Sequence, residues 1–186
     1  PLSNRISYSI KSPRNVEMVI VPGSPSLSSK NSCSGLAEMM PLPLNGFFKV
    51  QKIICGGEQR YHSVWNGLKE TKAGYVYIHD GARPFVNENI IRRGYECVVR
   101  EHACAAGMPV KDTVKIVDDN NIVSQTPERK YVWIVQTPQV FDTELIKRAY
   151  RLLEKEGESA VTDDAMVVET MLGCLLYTSP SPRDRG

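Results

Sequence analysis

The chain of 186 residues carries almost no excess charge: 23 Lys and Arg against 21 Asp and Glu leave a formal net charge of +2. So small a balance argues against a nucleic-acid binder or a basic membrane-surface protein. Long apolar runs are missing too. No stretch approaches membrane-spanning length, and Pro1–Ile10 lacks the apolar core of a signal peptide. Neither nucleic acid nor membrane is therefore expected as a partner. Cysteine is sparse: Cys33, Cys55, Cys97, Cys104 and Cys174 are odd in number and scattered, with no C-x-x-C pair. That argues against a disulfide framework or a zinc site and suits a reducing cytoplasm. Cys55, Cys97 and Cys104 then read as small buried apolar residues. No G-x-G-x-x-G follows a strand, which removes the usual dinucleotide-binding dehydrogenase pattern, and there is no internal repeat.

What is present is an ordinary mixture, 41% hydrophobic and 24% charged, in a chain long enough for one domain with a full core. Val16–Val21 reads as a buried strand stopped by Pro22-Gly23. Phe48–Cys55 alternates as a strand and ends in Gly56-Gly57. Arg60–Lys69 follows as a short helix with Tyr61, Val64, Trp65 and Leu68 on one face. Gly74–Ile78 is apolar, aromatic and β-branched, and Asn87 caps a helical pattern from Glu88 to His102. Ala103–Met108 is a small-residue strand. This β-α-β-α-β order with short connections predicts an α/β, Rossmann-like fold with a doubly wound, mostly parallel sheet.

Thr113–Val117 and Asn121–Ser124 flank Asp118-Asp119-Asn120 and read as a projecting hairpin, part of an arm spanning residues 110–136. Tyr131–Val135 is a further strand. Asp142 caps a helix from Thr143 to Glu156 that Gly157 stops, and Thr162 caps another, Asp163–Leu172. Pro1–Arg14 has weak periodicity and reads as the tail of a helix. Ser24–Pro43, rich in Ser and Pro, fits no regular element, and only Leu36–Met40 suits a helix; it is expected to be a disordered insertion or corrupted sequence. After Gly173 the composition turns abruptly to Ser, Pro and Arg. The domain is accordingly placed at residues 1–174, with 175–186 a foreign or disordered tail.

Four polar clusters fall where strands end or helices begin, the crevice at which open α/β sheets bind ligands. Gly56-Gly57-Glu58-Gln59-Arg60-Tyr61-His62-Ser63 offers close backbone approach and a helix N-terminus with unpaired N–H groups. His79-Asp80-Gly81-Ala82-Arg83-Pro84 sets a carboxylate, suited to Mg²⁺ or a hydroxyl, three residues from a guanidinium, suited to phosphate. In isolation that pair would be an ordinary surface ion pair. Lys111-Asp112-Thr113 stands at the root of the hairpin with Arg129 at its return, where a solvated turn charge is the plainer reading. Gln136-Thr137-Pro138-Gln139, polar after an apolar strand, is joined by Thr162-Asp163-Asp164.

These motifs, together with Ser63-Val64, Asn66-Gly67-Leu68, Pro109-Val110, Phe141 and Ala165, resemble the 2-C-methyl-D-erythritol 4-phosphate cytidylyltransferases in order and spacing over roughly residues 47–173. Val16–Pro22 is similar to that family's second strand. The resemblance implies transfer of a cytidylyl group from CTP to a sugar-alcohol phosphate, 2-C-methyl-D-erythritol 4-phosphate, with Mg²⁺ assisting. It places Gly56, Gly57, Ser63, Asp80 and Ala82 at the nucleotide, with Gly57 and Ser63 at the cytosine. It puts Asp80 at the ribose, metal and substrate hydroxyl, Arg83 at the alcohol phosphate, and Thr137 and Thr162 at the same substrate. Arg129 and Thr113 would reach the neighbouring subunit's site, implying a homodimer joined through the arm. The family's opening glycine-rich loop with its Arg and Lys, and its late substrate-binding Lys, have no counterpart in this chain. It is therefore expected to be a truncated form with little or no activity. Two other readings are a ribitol-5-phosphate cytidylyltransferase and a non-catalytic nucleotide-binding or dimerisation relic.

Overall fold

The computed structural model describes residues 6–12, 16–21, 50–83, 86–157, 161–174 and 176–180. The doubtful stretch 24–43, with its helix-compatible Leu36–Met40, lies outside them, as do Pro84 and Phe85. Nine strands are described: β1 (Ile6–Ser12), β2 (Val16–Val21), β3 (Val50–Cys55), β4 (Tyr75–Asp80), β5 (Ala103–Pro109), β6 (Ile116–Val117), β7 (Val123–Gln125), β8 (Trp133–Asp142) and β9 (Tyr177–Pro180). Four helices accompany them: α1 (Arg60–Glu70), α2 (Glu88–Glu101), α3 (Thr143–Glu156) and α4 (Asp164–Leu172).

Seven strands form one sheet in the order β3-β1-β2-β4-β8-β5-β9. The β2–β4 and β5–β9 pairs are parallel, and the other four pairs are antiparallel. Following direction across the sheet, β3, β2, β4, β5 and β9 run one way and only β1 and β8 run against them. The sheet is mixed but mostly parallel, as the alternation of strands and helices predicts. Alternate side chains of each strand point to opposite faces. Val19, Val21, Val76, Ile78 and Phe141 pack against Val64 and Leu68 of α1, Ile146, Ala149, Tyr150 and Leu153 of α3, and Val167 and Val168 of α4. On the other face Met18, Tyr77 and Val140 meet Val98 of α2, with Ile91 and Tyr95 alongside. Helices on both faces make the fold doubly wound. Tyr61 and Trp65 lie at the margin of the first core, beside the fully buried Val64 and Leu68.

Several boundaries differ from the sequence expectation. Ile6–Ser12 is a strand, not the end of a helix. It pairs with both β2 and β3, so edge pairing decides what weak periodicity left open. β8 does not stop at Val135 but runs through the polar Gln136–Gln139 to Asp142. Ala105 faces Gln139 while Ala106 faces Gln136, so Thr137 and Pro138 are extra residues in β8, a bulge beside β5; the Thr137–Pro138 peptide is cis. The cap of α4 is Asp163, whose side chain accepts from the Met166 N–H, and not Thr162. A carboxylate at that position complements the partial positive charge of the helix start better than a hydroxyl. Tyr177–Pro180, placed outside the domain from its composition, pairs in parallel with β5 at the sheet edge. β5 offers an open ladder there, and Tyr and Thr suit a strand. Cys104 is buried and Cys97 half-buried, but Cys55 is exposed and disulfide-bonded rather than a core residue.

The hairpin forms as expected, with β6 and β7 antiparallel across a turn in which Asn121 adopts a positive φ of 62°. Ile116, Ile122, Val123 and Tyr131 of the arm are exposed, with Tyr131 at 74%.

Candidate active site

β4 ends at Asp80, and the chain turns at once. The Arg83 N–H donates to the Asp80 carbonyl (3.0 Å), and the Gly81 N–H reaches the Val21 carbonyl on the neighbouring strand (2.6 Å). The turn thus hangs from two parallel strands. His79 steadies it further: its ring Nε2 lies 2.8 Å from the Arg83 carbonyl and therefore carries the proton it donates. The ring is buried, and its Nδ1 has no hydrogen-bond partner among the described residues. Burial, partly offset by that hydrogen bond to the Arg83 carbonyl, holds the His79 pKa below the usual histidine value, which keeps the ring neutral.

The Asp80 carboxylate is gripped from two sides. Arg60, the first residue of α1, donates from both Nε (3.2 Å) and Nη2 (3.1 Å) to Oδ1. Arg83 Nε lies 3.5 Å from Oδ2. On the backbone side, the Asp80 N–H donates to Thr137 Oγ1 (3.1 Å), which ties the end of β4 to the bulge in β8.

Arg60 also faces inward. Its Nη2 donates to Asp164 Oδ2 at 2.8 Å, and the Asp164 side chain is completely buried. Tyr150, in the core side of α3, donates its hydroxyl to the other oxygen of Asp164. Burial alone would lower the Arg60 pKa, but the charges of Asp164 and Asp80 more than offset it and raise the pKa. Burial, followed by the charge of Asp164, pushes the Tyr150 pKa well up. Both groups therefore keep their protons and serve as permanent donors. Gln139 completes the frame: its Nε2 donates to Asp163 Oδ2 and its Oε1 accepts from the Ala165 N–H, each at 2.8 Å. The start of α4 is thereby fastened to β8.

At the start of α1 the Gly57 N–H donates to Ser63 Oγ at 2.9 Å, closing the turn onto the helix. A Cβ on Gly57 would sit 2.1 Å from the His62 Cβ, so the chain itself demands glycine here, independently of any ligand. Gly56 is half-buried beside it.

The structure therefore brings three of the four polar clusters together through Arg60: the Gly56–Ser63 turn, the Asp80–Arg83 loop, and the Thr137 and Asp163-Asp164 pair of segments. Ala82 is exposed in the loop. Thr162 is exposed just before α4, its hydroxyl directed to Met166 Sδ at 3.6 Å. Thr113 and Arg129 belong to the arm, where Arg129 Nη1 donates to the Lys111 carbonyl (2.8 Å) rather than to the Asp80 cluster. Sequence reasoning assigned no role to Arg60, Asp164, Tyr150 or Gln139. Arg60 and Asp164 stand inside recognised motifs, but adjacent acids at 163 and 164 give no sign of which caps and which is buried. Tyr150 looks like any core residue of an amphipathic helix.

Among the described residues no helix is long and apolar enough to cross a membrane. No group of three or more His, Cys, Asp or Glu that could hold a metal occurs among them either.

A mostly parallel sheet with helices on both faces defines an α/β protein of the doubly wound class, and the paired Asp80 carboxylate stands at the strand ends where open sheets of this class carry their ligand crevice. Over residues 10–176 the chain matches the family described as 2-C-methyl-D-erythritol 4-phosphate cytidylyltransferase, and it belongs to that family. It is 54% identical over 125 residues to the 2-C-methyl-D-erythritol 4-phosphate cytidylyltransferase of Lachnospira eligens, covering 66% of this chain and 55% of that protein. To the enzyme of the same name from Caldanaerobacter subterraneus it is 46% identical, covering 64% of this chain and 53% of that one. Among solved structures, the 4-diphosphocytidyl-2C-methyl-D-erythritol synthase of Anaerococcus prevotii superposes with a TM-score of 0.64 at 34% identity, over 68% of this chain and 58% of that one. The Thermus thermophilus 2-C-methyl-D-erythritol 4-phosphate cytidylyltransferase gives 0.63 at 26% identity, over 89% of this chain and 77% of that one. The chain spans little more than half the length of the curated relatives it matches.

Proposed function

We propose that the full protein transfers a cytidylyl group from CTP to 2-C-methyl-D-erythritol 4-phosphate, giving the CDP-alcohol and pyrophosphate. In this reaction a phosphate oxygen of the alcohol attacks the α-phosphorus of CTP. The bond from that phosphorus to the oxygen bridging towards the β-phosphorus breaks, and pyrophosphate leaves with its electron pair. Such a displacement depends on positioning and charge neutralisation more than on covalent chemistry. The observation that carries the reading is the Asp80 loop: a carboxylate and a guanidinium fixed side by side at a strand end, in a chain of this family.

The residue roles are those that the family resemblance implies, and the placement of these residues supports them. Arg83 is the clamp on the alcohol phosphate, where a planar fork of donors suits a phosphate better than an ammonium would. Gly57 and Ser63, already bonded to each other, form the surface for the cytosine, with Gly56 and Ala82 beside the nucleotide. Thr137 and Thr162 hold the alcohol. Asp80 faces the ribose and the substrate hydroxyl. Mg²⁺, which is bound by one or two carboxylates together with substrate phosphates, would be held here by Asp80 Oδ2, the oxygen that Arg60 leaves unengaged. When bound, that ion would neutralise charge on the triphosphate.

The exposed apolar side chains of Ile116, Ile122, Val123 and Tyr131 support a homodimer joined through the arm, with Arg129 and Thr113 presented to the partner's site. The free thiols of Cys97 and Cys104 favour a cytoplasmic setting, whereas Cys55 is disulfide-bonded. The family match favours methylerythritol phosphate over ribitol phosphate as acceptor.

The test is to assay the full-length protein with CTP and a panel of alcohol phosphates for pyrophosphate release, beside its Arg83→Ala variant. Methylerythritol phosphate should be the preferred acceptor, and the variant should lose transfer while still binding CTP. An unchanged rate in Arg83→Ala would remove the phosphate role of that residue.

A further inference from the structure

We propose that Arg60 is a positioning residue for the transfer reaction, orienting Asp80 from an anchor that the core holds rigid. The inference rests on the cytidylyltransferase reading above. Three observations carry it. Asp164 is a fully buried carboxylate, and a buried charge persists only with partners. Its partners are the Tyr150 hydroxyl, itself in the core, and Arg60 Nη2. One end of the guanidinium is therefore fixed by a charge that has no freedom to move. Nε and Nη2 together also engage a single oxygen of Asp80.

The consequence is an asymmetric carboxylate. Oδ1 is occupied twice by Arg60, while Oδ2 lies towards Arg83 at 3.5 Å. The oxygen available to a ligand is thus selected by Arg60, which ties the direction of the carboxylate at the end of β4 to α1 and α4. Lysine is no substitute, because one ammonium has no rigid fork with which to span two carboxylates. Arg60 need not touch substrate: it acts through Asp80.

The experiment uses the full-length protein, Mg²⁺, CTP and 2-C-methyl-D-erythritol 4-phosphate. Arg60→Lys keeps the charge beside Asp164 and should fold. An Arg60→Gln/Asp164→Asn double variant removes both charges together, so no unpaired buried carboxylate is left to unfold the protein. For both variants kcat should fall about 100-fold, the scale of a small misplacement at the reacting centre, with KM for CTP changed by less than about threefold. In an Asp80→Asn background, Arg60→Lys should add less than about threefold to the loss, because residues acting as a unit are not additive. A purely structural Arg60 would give full additivity there. Near-wild-type kcat in either variant, or additive losses, overturns the inference alone. No transfer by the wild-type protein overturns the functional reading and the inference with it.

Discussion

Tyr150→Phe isolates one bond in this structure with little else disturbed. The Tyr150 ring is 1% exposed and lies 5.8 Å, centroid to centroid, from the Trp65 ring at an interplanar angle of 17°, a contact that phenylalanine keeps. What disappears is the hydroxyl donating to Asp164 Oδ1. A hydrogen bond to a charged group contributes about 1.5–3 kcal/mol, and an acceptor left unsatisfied in the interior recovers nothing from water. Arg60 still holds Oδ2, so the charge itself stays paired and collapse is not expected. A loss of about 2 kcal/mol follows, which for a domain of this size lowers Tm by about 4–8 °C. Calorimetry of wild type, Tyr150→Phe, Asp164→Asn and the double variant measures it, with a coupling of about 0.5–3 kcal/mol expected between the two sites. A Tm within about 2 °C of wild type in Tyr150→Phe would show that the Tyr150 hydroxyl contributes nothing to holding Asp164, and the anchoring argument would fail.

Three further outcomes are expected. Gly94→Ala gains up to about 1 kcal/mol of helix propensity in α2, but its Cβ would meet Val140 Cγ2 at 3.0 Å and Tyr77 Cε1 at 3.2 Å. Because Val140 and Tyr77 are themselves core residues with no room to retreat, overpacking of about 1–3 kcal/mol should win; a raised urea midpoint would refute this. His79, held below the ordinary value by burial, contributes stability that is complete above about pH 6.5 and is lost as pH falls from there through its folded pKa, since the unfolded chain takes up the proton first. Urea titrations between pH 7.5 and 5 should show this slope, and His79→Gln should flatten it. Gly57→Ala should displace the His62 backbone and break the Gly57–Ser63 bond, so CTP affinity measured by calorimetric titration should fall; unaltered affinity would take this turn out of the nucleotide site.

The fold was legible wherever one short-range pattern governed. Val16–Val21, Tyr75–Ile78 and the amphipathic faces of α1, α2 and α3 needed only periodicity and caps. Ile6–Ser12 and Tyr177–Pro180 are not legible because their order comes from the strands they pair with, which composition does not record. The Asp80–Arg83 loop was visible as a strand-to-helix junction. Its grip was not: Arg60 is 20 residues from Asp80 and 104 from Asp164, and nothing local announces so distant a meeting. Thr162, Asp163 and Asp164 are all residue types that can cap a helix, and only the geometry of the helix start selects Asp163.

The bulge in β8 has a consequence for how such a chain tolerates change in length. The arm between β5 and β8 can gain or lose residues at its tip without moving any group at the strand ends. β8 has no such latitude. Removing Pro138 would force either Thr137 away from the Asp80 amide or Gln139 away from Ala165, since one continuous strand carries both. Insertions and deletions among relatives should therefore gather in the arm and stop sharply at Trp133.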